Sequence, residues 1–157
     1  MRTVSRTDRA SRLIKAPASK IYSAFIDADA LVRWLPPEGM TGEMLAFDAR
    51  PGGGYRMALR YDEPGQDAAG KTSDHEDVVE TRFVTLKPGR LIVQTAVFDA
   101  EDPAFAGTMR MTWSFEPAEG GTRVAISCED VPQGIRKQDH LQGLKSSLAN
   151  LASYVGG

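Results

Sequence analysis

Little in this chain announces a specialised site. It has one cysteine, Cys128, in 157 residues, so no internal disulfide can form. That usage suits a reducing compartment and points to a cytoplasmic protein. The two histidines, His75 and His140, with that single thiol leave too few soft ligands for a zinc site, and no cofactor is expected. No segment approaches the ~20 apolar residues of a membrane span. No apolar stretch follows Met1, so a secretory signal is not expected either. Neither sign of charge dominates: 19 basic residues face 21 acidic ones, a net charge of −2. This excludes the basic footprint of a nucleic-acid binder. Glycine and proline, 15 and 9 residues, fall below the level that marks disorder. What remains is a chain 41% apolar and 25% charged, the composition of one globular domain able to bury a core without staples.

The first twenty residues hold Arg2, Arg6, Arg9, Arg12, Lys15 and Lys20 against a single acid, Asp8. A mitochondrial presequence has such a bias. Here, however, a strand-like alternation begins at Arg9 with no break between leader and body. Residues 1–8 are therefore read as a flexible terminus and 9–157 as a single domain.

Residues 9–16 read as a strand ended by Pro17. Ser19 is placed to cap a short helix over 20–26, and 29–35 carries a second helical turn. Strand patterns follow over 40–49, 55–61, 76–86, 91–98, 108–116 and 122–129. Turn signals separate them at 50–54, 87–90 and 119–121, and polar loops at 62–74 and around Pro103. Leu141, Leu144, Leu148, Leu151 and Val155 then recur at helical spacing to the end of the chain. Consecutive strands with short connections make an antiparallel meander, and one amphipathic helix is available to cover it. The fold class is α+β: a curved antiparallel sheet of about seven strands, two short helices after the first strand, and a long C-terminal helix.

Six segments, in order, resemble the family of the activator of heat-shock protein 90 ATPase homologues. They are Arg12–Phe25, Asp29–Met40 around Trp34, Asp48–Met57 with its three glycines, Lys87–Leu91, Glu119–Val124 and the helix opening His140–Leu144. This AHSA-type family lies in the START-like, Bet v-like (SRPBCC) superfamily. The resemblance implies the helix-grip fold, in which the sheet wraps the last helix and often leaves a cavity. It also puts Trp34 near the cavity mouth, although a packing plug fits that residue equally. Leu35 and Leu144 stand where tryptophan is common in the family, which implies less aromatic lining. The superfamily spans lipid carriers, polyketide cyclases and resistance proteins, so function has to be argued from the site.

Along the strands, Tyr55, Met57, Leu59, Tyr61, Thr81, Phe83, Thr95, Met109, Met111 and Trp113 are assigned to the inner face. Phenols and threonines among adaptable methionines suit a pocket lining. The competing reading is a filled core whose hydroxyls bond to backbone. With Trp34, His140 and Leu144 these residues form the candidate ligand-binding set. The ligand expected is a hydrophobic small molecule of lipid or polyketide character. An enzyme of cyclase or hydrolase type, using Tyr55, Tyr61, Glu80 or His140 for proton transfer, ranks second because no pair has mechanistic spacing. Chaperone interaction ranks lower: full activators carry a further docking domain, and none is expected in this length. Monomer and homodimer both stay open. His75 reads as a loop residue, Cys128 as a small buried hydrophobe, and the glycines at 52–54 as a turn, since no Lys-Ser/Thr ending follows them.

Overall fold

A computed structural model describes residues 6–36, 40–61, 76–98 and 107–156. The elements are β1 (Thr7–Ile14), α1 (Ala18–Ser23), α2 (Ala28–Trp34), β2 (Met40–Asp48), β3 (Gly54–Tyr61), β4 (Glu76–Lys87), β5 (Leu91–Phe98), β6 (Gly107–Ala118), β7 (Gly121–Glu129) and α3 (Lys137–Val155). The strands form one seven-stranded sheet in the order β1-β7-β6-β5-β4-β3-β2. Every pairing is antiparallel. The α+β helix-grip architecture expected from the sequence is the one observed.

Local chemistry sets the boundaries. The Asp27 carboxylate caps α2 by accepting from the amides of Asp29 (2.9 Å) and Ala30 (3.4 Å). Helix α3 ends at Gly156, whose φ of 86° is the left-handed conformation that lets its amide reach the carbonyls of Ala152 and Ser153. Ser19 is not a cap. It lies inside α1, and Pro17 holds the N-cap position, where its missing N–H is no loss. Strand β1 begins at Thr7, so Thr7 and Asp8 belong to the sheet and not to a frayed end. Residues 1–5 lie outside the described residues. So do the polar loop at 62–74, His75 and Pro103.

Two bulges curve the sheet. The register shifts between Met44 and Ala46 on β2 and between Phe83 and Thr85 on β4. The residues within the shifts, Leu45 and Val84, are turned outward at 46% and 41% exposure. At its start β3 runs close to β4: a Cβ at Gly54 would collide with the Thr81 carbonyl oxygen. Helix α3 lies nearest β1 and also meets α1 and α2. Its Leu144, Leu148, Leu151, Ala152 and Val155 are buried in the core.

Candidate functional site

The register arranges the inner face in rows across the strands. One row runs Asp8, Cys128, Met111, Gln94, Phe83. Beside it lies Met109, Ala96, Thr81, Tyr55, Phe47. On the other side Ile126, Trp113 and Ile92 form a third. Thus Tyr55, Thr81, Phe83, Met109, Met111 and Trp113 share one face, as the alternation predicts. Met57 is buried on the same side and Leu59 is half-buried. The side chain of Tyr61 lies outside the described residues.

Thr95 is a correction. It pairs with Arg82 and Arg110 on the outer face, and Gln94 takes the inward place. The sequence of β5 is apolar on both faces, with Val93 also buried, so alternation there does not fix the phase. Glu80 is exposed and faces Arg56 on the outer side, away from any inner-face chemistry.

Trp34 is a packing plug. It is 1% exposed, and its indole N–H donates to the Ala24 carbonyl at 2.8 Å. Its ring stands edge-on to Phe25 at 5.0 Å and to Trp113 at 6.1 Å. Phe25 also meets Trp113 at 4.8 Å and Phe115 at 5.6 Å. These edge-to-face contacts seal the region under α1 and α2.

The polar atoms of the inner face are largely matched in pairs. Trp113 Nε1 donates to Gln94 Oε1 at 3.0 Å. The Tyr55 phenol shares a hydrogen bond with Thr81, and its burial pushes its pKa above the ordinary value. Sequence reasoning missed the partner of His140. Its Nδ1 lies 2.7 Å from Asp8 Oδ2. Arg6 Nη2 reaches that same oxygen at 3.2 Å. The Asp8 side chain is fully buried, while those of His140 and Arg6 are 14% and 27% exposed. The signal was present in the sequence, where Asp8 is the lone acid among the basic residues of the N-terminal segment. Cys128, paired with Asp8 in the sheet, is free and buried. Desolvation first, and the Asp8 charge second, push its thiol up to about 12. It is therefore a poor nucleophile at neutral pH.

Against this matched background some apolar side chains are left partly open. Met111 on β6 is half-buried although β5 and β7 flank its strand on both sides. Leu141, in the first turns of α3, is also half-buried, and both pack against the core. A separate hollow of about 420 Å³ lies on the outer face beside Arg9, Ser11, Thr112, Ser114, Ala125 and Ser127. Among the described residues no cluster of side chains could hold a metal ion, and no helix is long and apolar enough to cross a membrane.

Comparison with known proteins bears on the whole chain. A solved structure from Chromobacterium violaceum shares 33% identity and superposes with a TM-score of 0.81, covering 96% of this chain and 97% of that one. A structure from Mesorhizobium loti shares 18% identity with a TM-score of 0.74, at 96% and 97% coverage. An AHSA1-like protein from Aeromonas hydrophila shares 16% with a TM-score of 0.73, at 96% and 92%. At those lower identities the likeness concerns the fold. A comparison with curated proteins finds no match. Residues 15–156 match the family model described as activator of Hsp90 ATPase homolog 1-like protein. With the helix-grip sheet, the long last helix and this match, the chain belongs to the family of activator of Hsp90 ATPase homolog 1-like proteins.

Proposed function

We propose that the protein binds a small apolar molecule between the inner face of the sheet and the N-terminal half of α3. The observation that carries this is Met111. Its strand neighbours on the same face, Met109 and Trp113, are buried at 5% and 4% exposure, while Met111 between them is not. An inward methionine on a strand flanked on both sides would ordinarily be covered by core. Here the covering is incomplete, and methionine is the side chain that adapts best to a variable apolar partner. Leu141 and Leu144 supply apolar surface from the helix, and Met109 from the sheet. Binding there, rather than catalysis or chaperone contact, suits a face on which the Trp113 indole and Gln94, and the Tyr55 phenol and Thr81, are engaged with one another. The lone free thiol suits a cytoplasmic setting for such a carrier.

The test is methyl NMR on methionine-labelled protein, with a panel of lipid-like and aromatic probes and thermal shift in parallel. Binding here shifts the Met111 and Met109 methyl signals and raises Tm. If no probe moves those methyls, or if the probes that raise Tm shift only other signals, the reading is overturned.

A further inference from the structure

We infer that the Arg6–Asp8–His140 cluster is the polar end of this binding site, and that it selects a ligand bearing a hydroxyl, an apolar alcohol or phenol. The inference rests on the proposed apolar site and adds the chemical class of its ligand. Asp8 is wholly buried, and a buried carboxylate is costly unless its oxygens are matched. Its two partners both go to one oxygen: His140 Nδ1 at 2.7 Å and Arg6 Nη2 at 3.2 Å meet Oδ2. Among the described residues, Asp8 Oδ1 and Arg6 Nε are buried without any hydrogen-bond partner. Arginine and a carboxylate frequently pair as a fork on both oxygens, and this pair does not. Here one acceptor and one donor are left over on two side chains already joined at Oδ2.

A hydroxyl matches that remainder, because it donates to Asp8 Oδ1 and accepts from Arg6 Nε. An ether or ketone cannot donate, an ammonium cannot accept, and a carboxylate would be repelled by Asp8. The cluster is also in the right place. Asp8 lies in the same row as Cys128 and the partly open Met111, two strands away, so the polar corner and the apolar floor belong to one row of the inner face. Cys128 does not compete as an anion, since its thiol stays protonated at neutral pH. The site thus joins one hydrogen-bonding corner to an otherwise apolar lining, the usual composition of a selective small-molecule pocket.

The test compares naphthol with its methyl ether on the intact chain, read by titration of the Met111 methyl signal. Naphthol is expected to bind about tenfold more tightly, the worth of a hydrogen bond to a charged group. In Asp8→Asn and in Arg6→Met that preference falls toward unity while binding of the ether is kept. Arg6 is partly exposed, so Arg6→Met remains informative should Asp8→Asn fail to fold. Equal affinities of the two probes for the native chain overturn the inference and leave the apolar site standing. Unchanged preference in Arg6→Met also overturns it. If neither probe moves Met111, the apolar site fails and the inference falls with it.

Discussion

The Nδ1 atom of His140 stands 2.7 Å from Oδ2 of Asp8, across 132 residues of sequence. This contact pins the first turn of α3 to the edge strand β1. A carboxylate can only accept, so Nδ1 is the donor in this contact. His140→Ala leaves the buried Asp8 with Arg6 alone. We expect a loss of about 2 kcal/mol in urea unfolding, in the range for a hydrogen bond to a charged group. Combined with Asp8→Asn, the two losses should fall short of their sum by about 1 kcal/mol, as for groups in direct contact.

Cys128 makes the protein sensitive to alkali. Burial and then the Asp8 charge raise its thiol from 9.0 to about 12. The folded chain therefore holds this proton more tightly than the unfolded chain. Below pH 9 both forms are protonated and the stabilisation is complete. Between pH 9 and 12 the unfolded chain ionises first and stability falls, by at most about 1.4 kcal/mol per pH unit. The phenols of Tyr55 and Tyr22, also raised by burial, add the same trend only above their ordinary value of 10.0. Urea midpoints between pH 8 and 10 should therefore decline in the native chain and flatten in Cys128→Ala.

Gln94 is buried because Trp113 needs an acceptor. Gln94→Leu keeps the volume but orphans the indole N–H that now donates at 3.0 Å. The expected loss is about 1–3 kcal/mol by chemical denaturation. A blue shift of tryptophan fluorescence should accompany it. Gln94→Glu, which keeps an acceptor at that place, should restore the red component.

Phe25 is the hinge of the aromatic plug, touching Trp34, Trp113 and Phe115. Phe25→Ala opens a void under α1 and α2 that rigid rings cannot fill. A loss of about 3–5 kcal/mol is expected, seen as a lower Tm and lost near-ultraviolet dichroism. Phe25→Leu should recover more than half of it.

The fold was legible because its cues are local. Alternation in β3, β6 and β7 and the leucine spacing of α3 depend only on neighbours in sequence. Their order then leaves few topologies. The site was less legible because it depends on phase and on distant partners. In β5, apolar on both faces, nothing in the sequence tells the inward Gln94 from the outward Thr95, so the indole acceptor is not legible there. Trp34 carried a family motif that fits a cavity mouth as well as a plug, and only its contacts with Phe25 and Trp113 separate the two. His140 stood in the candidate ligand set with no partner in view, since Asp8 lies in a segment read as a flexible terminus. No helix or strand pattern links residues that far apart.

The pairing of β1 with β7 has a consequence for how the chain reaches this structure. Strand β1 has no partner in the sheet until β7 is made. Even the lock between Thr122 Oγ1 and the Ala16 carbonyl spans 106 residues. On the ribosome β2 to β6 can zip up as successive hairpins while β1 waits, its backbone unpaired. Closure of the sheet is therefore a late, high-contact-order event. Asp8 enters the interior in that same step, so the polar corner is assembled only when the fold is complete.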